Sequence, residues 1–214
     1  MKSNDTKNKI LSEALRLFAE KGYDAVGVTE IAEAVGIKTP SLYKHYKSKR
    51  DIFDSIIKRV NEMDYEKARD GEMPEQAIDE AEDSYKDIPI DKIAAYTKEM
   101  FLHWTEEEFS SRFRRLLTLE QYKNHEMGEL YQQYISGGPM RYMTDIFLSM
   151  TNSESEAMLL ALEFYGPIYL LYSIYDGTSD KKIVMELLQN HLEAFSKRLD
   201  SENDKNSKPV NTGI

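Results

Sequence analysis

Apolar residues along the first sixty positions recur at helical spacing and are cut into short runs by glycines. Ile10, Ala14, Leu17 and Phe18 fall at i, i+4, i+7 and i+8, and Leu11 and Leu15 widen that stripe. Gly22 ends the run, with Lys21 in its last turn. Val28, Ile31, Ala32 and Val35 predict a second, short helix that Gly36 closes. A third begins at Thr39-Pro40 and runs to about His45, with Thr39 as its cap and Pro40 where a missing N–H costs nothing. Ser48 then caps a fourth helix over about 49–69. Asp51 takes the third position of a capping box there, and Ile52, Phe53, Ile56, Ile57 and Val60 form its core face. The stretch from Asp64 to Asp91 is acid-rich and reads as a solvated helix and loops, with breaks at Gly71 and Pro74. Further helices are expected at about 92–105, 106–122, 126–151, 155–175 and 180–199, the third of these kinked or broken by Gly137, Gly138 and Pro139. Residues 200–214 read as a disordered tail. The fold class is all-α, with about nine helices.

Two short helices joined by a glycine turn, the second opened by a proline, form a helix-turn-helix pattern. Ala32 is small where the helices must cross, and Ile37 and Leu42 fill the space beneath. An ordinary three-helix subdomain that binds nothing fits the same topology, and charge separates the two readings. The 214-residue chain has a net charge of -10, which by itself argues against a phosphate-bearing partner. Residues 1–60, however, hold 12 Lys and Arg against 8 Asp and Glu. From Gly36 to Arg50 there is no acid, only Lys38, Lys44, His45, Lys47, Lys49 and Arg50 among Thr39, Ser41, Tyr43 and Tyr46. Basic groups mixed with hydroxyls and aromatics are the chemistry that phosphates and base edges require.

The run VTEIAEAVGIKTPSLYKHYKSKRDIF, residues 28–53, resembles the DNA-binding domain of TetR/AcrR-family transcriptional regulators. Its most specific part is Leu-Tyr-x-His-Tyr-x-x-Lys from Leu42 to Lys49, and residues 10–32 resemble the family's first helix and the entry to its second. The resemblance implies an N-terminal three-helix DNA-binding domain over residues 1–50, a connecting fourth helix, and a helical effector-binding and dimerisation domain over 51–199. It puts Lys38, Thr39, Pro40, Ser41 and Lys44 near base edges in the major groove. Tyr43 and His45 would contact phosphates or adjacent bases, and Thr29 and Lys49 would bind phosphate, the latter at a helix N-terminus. Leu42 and Tyr46 are expected inside. One departure stands out: where the family usually caps the second helix with Thr or Ser, this chain has Gly27, which cannot make a side-chain phosphate contact.

In this family two C-terminal helices pair with their copies, which points to segments 155–175 and 180–199 as a homodimer interface. Leu160, Phe164, Ile168, Leu171, Leu187, Leu188, Leu192 and Phe195 are its expected contacts. The first segment is apolar around most of its circumference, too much so for a monomer's surface. It approaches the length of a membrane span, but Glu163, Gly166, Pro167 and four tyrosines favour a buried protein helix and no membrane partner. Tyr96, Met100, Trp104, Phe113, Tyr122, Tyr142, Phe147 and Tyr165 are candidates for an effector pocket, although such side chains are more often plain core, and Glu163 is a candidate partner for a cationic effector, for a salt bridge or for an exposed edge.

The chain has no cysteine, which excludes thiol chemistry and Cys-ligated metals. His45, His103, His125 and His191 are scattered, and adjacent His125 and Glu126 do not share a helix face, so no metal, cofactor or catalytic constellation is expected. The N-terminus lacks the apolar run of a signal peptide. The expected protein is cytoplasmic and not an enzyme: a homodimeric regulator, most readily a repressor, that binds a double-stranded operator and is released by a small-molecule effector. The competing reading is a helical ligand-binding or scaffold protein that has lost DNA binding.

Overall fold

The computed structural model describes residues 2–74 and 88–206, in which there are ten α-helices and no strand. They are α1 Lys2–Lys21, α2 Val28–Val35, α3 Thr39–Leu42, α4 Lys49–Asp70, α5 Ile90–Thr105, α6 Glu108–Glu120, α7 His125–Tyr134, α8 Gly137–Leu148, α9 Glu154–Gly177 and α10 Lys181–Asn206. The all-α expectation holds. The helix expected over 126–151 is two helices, α7 and α8, divided at Gly137-Gly138-Pro139. A Cβ on Gly138 would lie 1.8 Å from the Gln133 carbonyl oxygen, so the chain makes this turn only with glycine there. The C-terminal helix continues to Asn206, past the 199 expected. The rest of the expected tail, 207–214, and the middle of the acid-rich stretch, 75–87, lie outside the described residues.

The described chain forms two compact units, and they do not follow a simple N-to-C division. One comprises Met1–Glu72 with Leu102–Gly138, the other Met73–Phe101 with Pro139–Ile214. In the first unit α1 packs on α2, α4 and α6, and α6 packs on α7. Ile10, Ala14, Leu15 and Phe18 of α1 meet a core that includes Ile31, Leu42, Ile52, Phe53, Ile56, Val60, Phe113, Leu116 and Leu117, all essentially without solvent contact. Phe18, Tyr23 and Phe53 form a ring cluster with centroids 5.0, 5.1 and 6.4 Å apart. Losing one such buried phenyl ring costs about 3–5 kcal/mol.

The same unit encloses a polar cluster. His103 Nε2 lies 3.1 Å from Asp64 Oδ1 and 2.9 Å from Ser110 Oγ. Burial pushes the Asp64 carboxyl above the ordinary aspartate range, against the opposing pull of the His103 hydrogen bond.

In the second unit α9 and α10 pack together as a hairpin. Ala157, Ala161, Phe164, Tyr165, Ile168, Leu171, Tyr172 and Tyr175 give α9 a buried face with a 3.6-residue period. Across it lie Val184, Leu188, Leu192 and Phe195, with the Phe164 and Phe195 rings 4.8 Å apart.

This packing corrects the expected interface. Phe164, Ile168, Leu171, Leu188, Leu192 and Phe195 are already buried within one chain; Leu160 is half-buried and Leu187 exposed. The apolar residues that α9 and α10 present to solvent are Met158, Leu159, Leu162, Tyr169, Leu170, Ile174, Ile183 and Leu187. A helix apolar all round has two stripes to bury, and its periodicity does not say which one its own chain covers.

Glu163 pairs with Arg198, which takes it away from the expected cationic effector and gives it the salt-bridge role. The effector candidates also divide. Trp104, Phe113 and Tyr122 belong to the first unit, and Tyr96, Met100, Tyr142, Phe147 and Tyr165 to the second. Trp104 and Phe113 pack with Tyr134 as core, while Tyr122 is 92% exposed in the turn after α6.

Candidate nucleic-acid interface

Glycine and proline set the shape of the helix-turn-helix. Gly36 ends α2 at φ +81°, in the left-handed region, and the N–H of Ile37 reaches back 2.9 Å to the Ala32 carbonyl. That closure satisfies an end carbonyl of α2 and turns the chain sharply into α3. Lys9 Nζ donates to another, the Val35 carbonyl, at 3.1 Å. At the other end of α2, Gly27 is the cap and makes no side-chain bond, as the sequence implied.

The cap of α3 is Lys38, not Thr39. Lys38 holds the extended conformation, its carbonyl accepts the N–H groups of Ser41 and Leu42 at 2.8 and 3.2 Å, and Thr39 and Pro40 are the first helical residues. The helix is also shorter than expected. After Leu42 it unwinds through tight turns to Tyr46, where the Leu42 carbonyl accepts from both His45 and Tyr46.

Leu42 is fully buried and Tyr46 nearly so, and the Tyr46 hydroxyl donates to the Lys7 carbonyl. These two side chains anchor the segment and turn the residues between and before them outward. Lys38, Pro40, Tyr43 and Lys44 are exposed, Tyr43 by 51%, while Thr39, Ser41 and His45 are half-buried. Thr29 is exposed in the first turn of α2.

The cations of the basic window do not share one role. Lys38, Lys44 and Lys47 are exposed and form no ion pair among the described residues. Arg50 is committed to Asp54 at 2.7 Å and to Glu126 at 2.6 Å, the Glu126 bond foremost in holding its guanidinium protonated. Lys49, expected to bind phosphate, turns inward. Its ammonium donates to the carbonyls of Tyr23 and Val26, both at 3.0 Å, and sits 4.4 Å from the centre of the Tyr23 ring. The expected capping box is present in a shifted form: Ser48 Oγ accepts from Asp51 N at 3.0 Å, and Asp51 Oδ2 accepts from Lys47 N at 2.7 Å.

Lys9 and Tyr23 also shape this region, and neither is among the residues that the sequence pattern singles out. Tyr23 carried a legible signal, an aromatic directly after the helix-ending glycine. Lys9 carried none, since its partner is a backbone carbonyl. Among the described residues no group of three His, Asp or Glu side chains is arranged to hold a metal ion; His125 instead faces Glu129, and Glu126 faces Arg50. One helix, α9, is long and apolar enough to cross a membrane by length and composition alone.

Comparison with known proteins agrees with the geometry. Residues 10–56 match the family described as bacterial regulatory proteins, tetR family. Over 52 residues the chain is 46% identical to the biofilm operon icaADBC HTH-type negative transcriptional regulator IcaR of Staphylococcus aureus, covering 24% of this chain and 28% of that protein. Over 116 residues it is 31% identical to the HTH-type transcriptional regulator AcrR of Shigella flexneri, covering 54% of this chain and 47% of that one. The chain thus matches less than half the length of these relatives. Solved structures extend the likeness in fold. A transcriptional regulator from Aquifex aeolicus superposes with TM-score 0.62 at 19% identity over 88% of this chain and 98% of that one. The fatty acid degradation regulator FadR from Bacillus halodurans does so with TM-score 0.62 at 16% identity over 89% and 94%. Over residues 10–56 the chain is thus similar to the tetR family of bacterial regulatory proteins, and beyond that segment the likeness to solved structures is one of fold.

Proposed function

We propose that the protein is a homodimeric transcriptional regulator that binds a palindromic DNA operator as a repressor and leaves it when a small-molecule effector binds. The observation that carries this reading is the outward row Lys38, Pro40, Tyr43 and Lys44 with Thr39 and Ser41 beside it, on a short helix anchored from beneath by Leu42 and free of acids. Thr39, Ser41 and Lys44 offer hydroxyl and ammonium groups to base edges, and Lys38 and Lys47 offer charge to phosphates. The repressor sign draws on IcaR, whose name describes a negative regulator.

Dimerisation is supported by the exposed apolar strip of α9 and α10, an area that a soluble monomer rarely leaves uncovered. A two-fold dimer sets two reading helices about 34 Å apart, one turn of DNA. An effector that binds better to a dimer with a different spacing shifts the population away from the operator-bound form. Tyr96, Met100, Tyr142, Phe147 and Tyr165, which share the second unit, remain the effector-site candidates. The reading places the protein in the cytoplasm with its DNA.

The test is selection from a randomised duplex pool by the effector-free protein. Retention of a palindromic sequence with affinity falling steeply as salt rises supports the reading. Failure to select any duplex at low salt favours the competing scaffold reading.

A further inference from the structure

Arg50 is the one arginine of the acid-free basic window, and all three nitrogens of its guanidinium are engaged within the chain. Nε donates to Asp54 Oδ1 at 2.7 Å, one turn further along α4. The two terminal nitrogens donate to both oxygens of Glu126, at 2.7 and 2.6 Å. An exposed single-point ion pair contributes little, but a planar fork seated on a carboxylate holds both groups in one geometry. Glu126 is itself placed. It stands in the first turn of α7, where the helix dipole favours a carboxylate, and its N–H donates to Asn124 Oδ1 at 2.9 Å. The other end of α7 is fastened to the same partner helix, where the Tyr134 hydroxyl donates to Asn61 Oδ1 of α4. At 1.5 Å per residue, Arg50 to Asn61 spans about 16 Å of α4 and Glu126 to Tyr134 about 12 Å of α7. Helix α7 therefore runs alongside α4 in the same sense, pinned near both of its ends. The connection just before α7 is docked as well. Glu120 of α6 is 3% exposed, and its carboxylate closes over Gly22 so tightly that a Cβ there would lie 2.6 Å from Oε1. All these groups belong to the first unit.

We propose that Arg50 is a positioning residue and not a DNA contact: it registers the first turn of α4 on α7 through Glu126, and so fixes how the reading head is held when it meets the duplex. Asp54 and Glu126 neutralise its charge, and its bond to Asp54 turns the fork along α4, away from the helix start. The inference deepens the operator-binding reading above and rests on it.

Long-range charge and local register predict opposite signs for one variant. Glu126→Arg makes the region beside the reading head more positive, which by electrostatics alone tightens DNA binding. By the register argument it sets two guanidinium groups against each other and weakens binding to the selected duplex by roughly fivefold or more. Combining Arg50→Glu with Glu126→Arg restores the pair in reverse at unchanged net charge, and affinity should return to within about threefold of wild type. Arg50→Gln should weaken binding with the slope of log K against log salt unchanged, whereas loss of a phosphate contact lowers that slope by about 0.9. Where Glu126→Arg folds poorly by circular dichroism, Glu126→Gln takes its place, with a weakening of roughly threefold or more expected. Equal or tighter binding by the Glu126 variant that folds, no recovery in the reversed pair, or a slope lower by about 0.9 in Arg50→Gln overturns the proposal. A second measurement needs no DNA. The urea midpoint of the double variant Arg50→Ala with Glu126→Ala should fall no further than that of the more affected single variant. Additive losses, or no loss in any of the three, overturn the register between α4 and α7. If the wild type selects no duplex, the operator reading fails, and the urea cycle alone decides whether that register exists.

Discussion

If the proposed dimer forms through the outer face of α9, replacing Leu159 by Asp should take it apart and leave each protomer folded. Leu159 lies on the outer face of α9, 64% exposed, among Met158, Leu162, Tyr169 and Leu170. Fully burying a leucine side chain contributes about 1.5–3 kcal/mol. Covering the fraction still in solvent would then contribute roughly 1–2 kcal/mol per protomer, and two-fold symmetry doubles that to roughly 2–4 kcal/mol per dimer. Losing it raises the dissociation constant roughly 30- to 700-fold, before any penalty for a carboxylate in the seam. Sedimentation equilibrium measures the constant, and far-UV circular dichroism monitors helix content. Leu188→Ala is the contrasting variant. Leu188 is 0% exposed within one chain, so its truncation should cost about 2–5 kcal/mol of folding stability through a cavity in the hairpin core. Leu159→Asp sedimenting as a dimer with the wild-type constant, or losing its helicity, would refute the assignment of this face.

Three further outcomes follow from single sites. Gly138→Ala should destabilise by more than about 3 kcal/mol in chemical denaturation, because its Cβ would collide with backbone, while Gly177→Ala, with nothing within 4 Å, should change stability little. Ser41→Ala and Lys44→Ala should change which base pairs the selected duplex carries, read by repeating the selection; an unchanged preference in both would remove α3 from base readout. The pH dependence of stability should carry a contribution from Asp64. Its folded pKa is raised, so the folded chain holds the proton more tightly than the unfolded one, and stability falls as pH rises from the ordinary aspartate value through the folded value. The stability difference between wild type and Asp64→Asn should therefore shrink or reverse with rising pH across that window and stay flat above it, as read from urea midpoints. A difference that does not vary with pH would contradict it.

The reading head was legible because its signals are local. Gly36 forces a turn by its own φ, Leu42 has no polar use for its side chain, and the acid-free window from Gly36 to Arg50 lies within one stretch of chain. What the sequence hid depends on partners far along the chain. Lys49 reads in the sequence as a surface cation, but the carbonyls of Tyr23 and Val26 claim its ammonium. Arg50 is paired with Glu126, 76 residues away. On α9, composition reported correctly that both faces are apolar, but only the packing of Phe164 and Leu171 against the chain's own core reveals that Leu159 and Leu170 are the face left over. Thr39 lost the cap position to Lys38 because Pro40 is tolerated anywhere in the first turn, which leaves the boundary open by one residue.

The central claim, that this chain reads DNA through α3, is tested most directly by measuring affinity for a selected duplex against salt in wild type and in Lys44→Ala. The account predicts a selected palindrome, a steep linear fall of log K with log salt, and a changed base preference in Lys44→Ala. Binding that is insensitive to salt and indifferent to sequence would contradict it.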